Sequence, residues 1–294
     1  MKKVFPAIFI VSLILTCLPA LSQKVTGKLQ FQQGQVIGIT VELKTTASQD
    51  AGGQAIDFTV NGTAIHTFKV TNTTDDNSTL HHQVKKLSFL FNGMGQKRAF
   101  ESDNPKDLDG MFGKPVKDIL SKSYDMIIDP AGKTMLVKPE KIELAKWDDR
   151  AAIVFSMLRD ITAVVFPPKK NESSFFKVLP DKETAINESW VESGIDSNGV
   201  FKTIYTLSSI TDSTIVVDLK GTSSFVTKAE MMGMATSTTM NNTYTGTVIL
   251  DKATGIVREK KMDTTSTGST EVMGGSVPVN SKTSMLIKVN PGLQ

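Results

Sequence analysis

Ile37-Gly38-Ile39-Thr40-Val41-Glu42-Leu43-Lys44 alternates one apolar residue with one small or polar residue. Successive side chains of a strand point to opposite faces, so Ile37, Ile39, Val41 and Leu43 share one face against Gly38, Thr40, Glu42 and Lys44. The same period recurs down the chain. Ile215, Val217 and Leu219 oppose Thr214, Asp218 and Lys220, while Tyr244, Val248 and Leu250 share a face, as do Met285, Ile287 and Val289. Strands with one apolar face and one Thr/Lys/Glu face build an antiparallel sheet that is wet on one side. About a dozen such strands need something to cover the apolar face.

The middle of the chain supplies candidates for that cover. Asp107 to Ser121 reads as a short helix interrupted by Gly110, Gly113 and Pro115. A longer helical pattern runs from Pro139 to Val165, with Pro139 as its start and Pro167-Pro168 as its stop. Trp147, Ala151, Val154, Phe155, Leu158 and Ile161 recur at spacings of three and four, which makes one apolar stripe. The predicted fold is therefore α+β and mainly β: a large curved antiparallel sheet, half-barrel-like, packed against one long and one short helix.

Two stretches echo each other. Asn61-Gly62 and Asn198-Gly199 are both Asn-Gly pairs flanked by strand residues, a strong hairpin signal. Counting on from each Asn, Phe68 matches Tyr205, Val70 matches Leu207, Thr71 matches Ser208, and Thr74-Asp75 matches Thr211-Asp212. A later hairpin recurs less regularly: Asp129-Pro130-Ala131-Gly132 and Asp251-Lys252-Ala253-Thr254-Gly255 both join strand-like runs through an Asp that caps turn amides and a Gly suited to positive φ. The spacing suggests one β-rich domain, residues 23–294, with an internal duplication of about 28–138 and 175–290 joined by the helical segment 139–166. The competing explanation is that all hairpins draw on the same few turn residues.

The N-terminus carries a different signal. Lys2 and Lys3 precede an apolar run from Val4 to Leu18, and Ala20-Leu21-Ser22 offers a cleavage site before Gln23. This is the layout of a secretory leader, residues 1–22, with a core too short for a stable membrane span. It predicts export to the periplasm or the cell exterior. Cys17 is the sole cysteine and lies inside the leader, so the mature chain holds no thiol for disulfides, thiolate metal sites or nucleophiles. Lipid anchoring at Cys17 is disfavoured by Thr16, where a small Ala or Gly is usual. Without Lys2 and Lys3 the formal net charge falls from +3 to +1, and interspersed charges offer nothing for nucleic acid.

Catalytic patterns are sparse. His81 and His82 are adjacent in a predicted strand, so they face opposite ways and cannot chelate one metal together; His66 is able to share a face with one of them across the sheet. The plain expectation is exposed strand histidines. No G-x-S-x-G elbow occurs. Aligning Gly110 to the sixth place of a calcium loop puts Pro105 first and Val116 twelfth, where carboxylates are needed, so that reading fails. Asp148-Asp149, Asp75-Asp76 and Glu140/Glu143 pair carboxylates by proximity alone. No cofactor fingerprint is present. The 13 methionines include Met231-Met232-Gly233-Met234, which invites three readings: Cu(I) ligation, an adaptable apolar pocket, or ordinary core filling.

Several stretches together resemble a known family. Leu29-Gln30-Phe31-Gln32-Gln33-Gly34-Gln35, Phe100-Glu101-Ser102-Asp103, Gly113-Lys114-Pro115, Asp129 to Lys133, Glu188-Ser189-Trp190 and Thr245-Gly246-Thr247 follow one another in an order similar to a secreted, uncharacterised Bacteroidota family, domain of unknown function 6263. That family implies no catalytic residue. A looser, fold-level analogy is to periplasmic lipoprotein carriers, whose half-open barrels close over a lipid chain with helices.

The reading that follows is a non-enzymatic binder of an apolar, lipid-like ligand held between sheet and helices. Trp147, Val154, Phe155, Leu158, Met231, Met232 and Met234 are the expected lining. The alternative is an envelope-associated structural or protein-interaction module with a filled core.

Overall fold

The computed structural model describes residues 23–51, 54–93, 95–144, 154–155, 158–195, 199–231, 234–272 and 275–292. Residues 1–22, the expected leader, lie outside them. Strands are β1 (Lys24–Val25), β2 (Val36–Ala51), β3 (Gln54–Thr73), β4 (Ser78–Gly93), β5 (Gln96–Glu101), β6 (Ser123–Ile128), β7 (Thr134–Lys138), β8 (Thr184–Ala185), β9 (Ser189–Ile195), β10 (Gly199–Ile210), β11 (Thr214–Met231), β12 (Met234–Asp251), β13 (Val257–Val272) and β14 (Gly275–Asn290). Helices are α1 (Pro105–Leu108), α2 (Gly113–Leu120) and α3 (Arg159–Thr162), the last running into a 3-10 turn, Ala163–Val165.

Twelve strands form one antiparallel sheet in the order β7-β6-β4-β3-β2-β14-β13-β12-β11-β10-β9, with β5 paired to β4. It is not closed: β7 and β9 are its edges. The alternation in Ile37–Lys44 holds, with Ile37, Ile39, Val41 and Leu43 buried. In register, Val217, Val248, Ile287, Val41 and Ala64 continue one inward row across the strands. The outward face carries exposed Glu42, Lys44, Lys261 and Asp263, unlike the apolar outer band of a lipid-embedded barrel.

Backbone bonds at one end of the sheet force it to curl. Leu29 N donates to Pro130 O at 2.7 Å, and the next amide, Gln30 N, donates to Thr254 O at 2.9 Å. Pro130 lies in the β6–β7 turn and Thr254 in the β12–β13 turn. In a flat sheet β6 and β13 stand five strand spacings apart, about 24 Å. Two neighbouring amides reach both turns only if the sheet folds over on itself. A second strap crosses the open seam. Asn171 N donates to Thr134 O on β7, Gly27 N to Pro180 O, β8 pairs with β1, and Asn187 N donates to Leu207 O on β10. Phe176, 1% exposed, fills the space under these straps, edge-on to Phe31 and Phe68 at 5.4 and 5.3 Å.

Asn61-Gly62 is not a turn, contrary to its sequence signal. It sits in the middle of β3, opposite Lys44 and Leu43. The glycine serves packing: a Cβ there would lie 2.5 Å from Leu158 Cδ2 and 2.9 Å from Ile161 Cδ1. The cover therefore presses directly on the backbone of the sheet. Of the turn signal at Asn198-Gly199, Asn198 lies outside the described residues, while Gly199 opens β10, which pairs antiparallel with β9. The long helix does not begin at Pro139, because residues 139–144 are irregular. The short helix does break at Gly110 into α1 and α2, whereas Pro115 sits within the first turn of α2 without interrupting it.

Two sheet side chains anchor the cover. Leu158 and Ile161 are fully buried, and the carbonyls at this helix end need partners. Ile161 O lies 3.2 Å from His66 Nε2, and Val164 O accepts from the Tyr124 hydroxyl at 3.2 Å. His66 Nδ1 is 3.2 Å from His82 Nε2. With His66 donating through Nε2, His82 must donate through its Nε2, which leaves buried His82 Nδ1 without a partner. His82 stacks between Phe68 and Tyr124 at 4.8 and 4.6 Å. The expectation of exposed histidines thus holds only for His81, which meets Asp125 at 2.8 Å; His66 and His82 are both 0% exposed.

Burial holds both rings neutral. It lowers His66 to about 4, against the bond to Ile161 O, and lowers His82 to about 3 with help from His66 and His81. Unfolded histidines protonate near pH 6.5, so the unfolded chain takes up protons first and stability falls as pH drops from about 6.5 toward 4. The loss is about 1.4 kcal/mol per pH unit for each ring. Urea unfolding between pH 7 and 4.5 is expected to show this slope, and the His66→Leu/His82→Phe double variant is expected to lack it. Gly62→Leu is expected to cost about 1–3 kcal/mol by displacing the cover. Gly38→Ala, whose Cβ meets nothing nearer than 3.9 Å, is expected to leave the urea midpoint unchanged or slightly raised.

Candidate functional site

The cover packs on the β2–β4 side of the inner face. Phe155, buried, lies edge-on to Phe89 and Phe112 at 6.2 and 6.5 Å, and Leu158 and Ile161 press on Gly62. From there the inward row passes through Leu43 and Met285 to Met262, all in register on adjacent strands. An open cavity of about 450 Å³ lies behind this row, on the outward face: Glu42, Lys44, Asn61, Thr63, Lys261, Asp263, Ser284 and Leu286 wall it, over the backbone of Leu43, Gly62, Met262 and Met285. That volume falls within the range of small-molecule sites.

Beyond Met262 the same row reaches Gly246, Leu219, Tyr205 and Trp190 on β12 to β9. Trp190 and Tyr205 stack at 5.6 Å, nearly parallel. Tyr205 donates its hydroxyl to Glu192 Oε2 at 3.2 Å, and the Tyr244 hydroxyl lies 2.7 Å from Thr203 Oγ1. Burial pushes the Tyr205 hydroxyl above its ordinary value, with Glu192 adding to the shift, so it stays a donor. Glycines let these rings lie flat on the sheet. A Cβ at Gly221 would meet the Tyr244 ring at 2.6 Å, and one at Gly194 the Phe201 ring at 2.4 Å. Phe201 remains 42% exposed on this inner face.

Composition changes along the strands. Toward the base the rows are aliphatic, with Leu207, Val217 and Val248 buried. Toward the far end they turn to hydroxyls: Thr45 Oγ1 lies 3.0 Å from Thr283 Oγ1, Thr238 Oγ1 lies 2.9 Å from Thr270 Oγ1, and Asn242 donates to Ser223 at 2.8 Å. Such a surface offers an apolar floor next to a polar wall.

The residues expected from sequence are divided by the structure. Val154, Phe155 and Leu158 are buried in the cover's contact with the sheet. Met231 and Met234 are paired at the end of the β11–β12 ladder, while their side chains, Met232 and Trp147 lie outside the described residues. Lys260, Met262, Met285, Trp190 and Tyr205 were not anticipated. Strand parity carried the signal: Val257-Arg258-Glu259-Lys260-Lys261-Met262 looks like a solvated charge run, yet position 260 shares its face with Met262. Among the described residues, no group of three or more His, Cys, Asp or Glu side chains converges to hold a metal ion. No described helix is long and apolar enough to cross a membrane.

A family model described as a family of unknown function (DUF6263) matches residues 169–257. No curated protein matches the chain. Among solved structures, lipovitellin ("Lipid-protein interactions in lipovitellin") aligns at 10% identity and a TM-score of 0.46, over 90% of this chain and 26% of that one. The chain thus spans about a quarter of that protein's length. An outer membrane channel from Pseudomonas putida F1 aligns at 7% identity and a TM-score of 0.24, covering 90% of this chain and 98% of that one. The β domain of the Bordetella autotransporter BrkA aligns at 7% and 0.23, covering 87% and 99%. At these TM-scores none of the three carries an argument. Residues 169–257, from the strap across the seam to the β12–β13 turn, are similar to a family of unknown function.

Proposed function

We propose that the protein binds an apolar, lipid-like ligand between sheet and cover, without catalysis. The concave inner face made by the curl supports this most directly, with the Phe201 ring still 42% exposed on it. Hydrophobic surface in a concave, sheltered site is costly to leave wet, and one partly enclosed by a cover is suited to an apolar guest. The leader argues for export, with release after Ser22. Val154, Phe155 and Leu158 belong to this proposal as the part of the cover packed on the sheet, and Trp147, Met231, Met232 and Met234 remain proposed lining.

We propose further that the sheet is a duplicated unit, with β2-β3-β4-β6-β7 related to β9-β10-β11-β12-β13 and spliced by β14. Matching irregularities support it. A bulge skips Thr71 between β3 and β4 and skips Ser208 between β10 and β11. Thr74 Oγ1 accepts from Asn77 N at 3.2 Å and Thr211 Oγ1 from Thr214 N at 2.9 Å, in equivalent turns. Asp129 and Asp251 cap turns that close through Gly132 and Gly255, both at positive φ. The first unit carries the insertion of β5, α1 and α2.

A second reading rests on the free edge. On β9 and β10, Val191, Ile195 and Val200 are exposed on the outward face at 56%, 86% and 49%. An apolar edge strand is a docking strip for a protein partner, which suits an interaction module.

Native mass spectrometry with 1-hexadecanol as the probe separates the two. The ligand reading predicts one retained equivalent, lost in the Phe201→Glu variant, which puts a charge at the exposed inner-face ring. A bare chain mass at saturating hexadecanol contradicts the ligand reading and favours the interaction module.

A further inference from the structure

The two edges of the large sheet are finished differently. At β7, Thr134 N donates to Glu172 O at 2.9 Å, Thr134 O accepts from Asn171 N at 2.8 Å, and Pro139, which cannot extend a ladder, follows directly. Among the described residues nothing pairs with the open side of β9. Leu207 N donates to Glu188 O just before that strand, so by alternation Trp190, Glu192 and Gly194 turn their backbone groups to β10. Ser189, Val191, Ser193 and Ile195 turn theirs to the open side. Their side chains lie on the outward face and carry no charge, although charge is a usual guard of a bare edge.

Charge lies further in. On the outward face Val191 is in register with Ile204 and then Lys220, Ser193 with Lys202 and then Thr222, and Ile195 with Val200 and then Ser224. The Lys202 and Lys220 side chains are exposed and make no hydrogen bond or ion pair among the described residues. Asp218, one row toward the base from Lys220, is already held by the Ser208 and Thr247 hydroxyls. The free edge is thus an apolar strip with unanswered positive charge beside it.

We infer that the open side of β9 receives an extended segment of another protein, one that carries an acidic residue between two apolar ones in the spacing apolar-x-acidic-x-apolar. This rests on the edge as a docking strip and not on the ligand reading. Added antiparallel, as β9, β10 and β11 already pair, the segment sets its apolar residues beside Val191 and Ile195 and its carboxylate beside Ser193. Ser193 is small, so the carboxylate passes over it toward Lys202. The backbones there are two strand spacings apart, about 10 Å, a gap that a Glu and a Lys side chain bridge together. Ladder bonds supply the affinity of such a strand, and the side chains its selectivity. A second copy of this chain fits less well. Two β9 strands about a twofold axis at Ser193 match Val191 with Ile195 but leave Lys202 unanswered, since the outward side of β9 offers no carboxylate.

The test titrates end-blocked heptapeptides into the protein at low salt: Thr-Val-Thr-Glu-Thr-Val-Thr and its forms with Gln or Lys in the middle. The Glu peptide is expected to bind about three- to fivefold tighter than the Gln peptide, the scale of one exposed ion pair, and the Lys peptide more weakly than either. Lys202→Gln is expected to make the Glu and Gln peptides equal without weakening the Gln peptide. Methylating the Glu amide nitrogen, which faces β9 in antiparallel pairing, is expected to abolish binding, whereas methylating the next Thr amide, which faces away, spares it. Equal binding of the Glu and Gln peptides, or a preference that survives Lys202→Gln, overturns the inference and leaves the docking strip standing. Binding that survives methylation of the Glu amide, or no binding of any peptide at millimolar concentration, overturns both. Sedimentation as a dimer that Val191→Lys turns into a monomer shows that a second copy covers the edge, and also overturns the inference.

Discussion

Two adjacent backbone amides, Leu29 and Gln30, hold the carbonyls of Pro130 and Thr254. Everything inside the sheet depends on this pair of bonds and on the strap from Asn171 to Glu188 that crosses the seam. A twelve-strand sheet left open splays, and its inner face then lies flat to water. Curled at one end, the same face becomes an interior. Phe31 and Phe176 fill the tight end, the His66–Tyr124 cluster holds the cover over one side, and the other side remains accessible. Tight packing at the base and vacancy above it are two consequences of one closure.

Glycine is the second constraint. Inward positions such as Gly62, Gly194 and Gly221 receive side chains from elsewhere: Leu158 and Ile161, the Phe201 ring, and the Tyr244 ring. Strand glycines weaken β structure locally, but here each makes room for apolar mass laid flat on the sheet. The row from Gly62 to Met262 runs from the cover toward the stacked Trp190 and Tyr205 beyond Gly246 and Leu219.

Much of the fold was legible in local pattern. Period-two alternation in Ile37–Lys44 and in Met285–Val289 identified inward faces that are buried, and Gly110 marked the break between α1 and α2. Asn61-Gly62 misled because an Asn-Gly pair signals a turn by backbone freedom, whereas this glycine is needed for its missing Cβ; only the distant Leu158 reveals that. His66 was readable in principle, since it alternates with Ala64 and Phe68 on the apolar face. The curl was not readable. It depends on backbone bonds among residues 29, 130 and 254, which leave no side-chain signature. The candidate site inherits that blindness: Met262, Met285 and Leu43 belong to three strands that become one floor only through register.

The closure itself is open to direct measurement. Residues 23–294 hold no cysteine, so Lys133→Cys and Ala253→Cys in that stretch place two spin labels on the β6–β7 and β12–β13 turns. Double electron–electron resonance is then expected to give one narrow distance below the roughly 24 Å of a flat sheet, allowing for the label arms. Removing residues 23–31 is expected to broaden and lengthen it. A distance at or beyond the flat-sheet value in the intact protein contradicts the curl, and with it the interior on which the site depends.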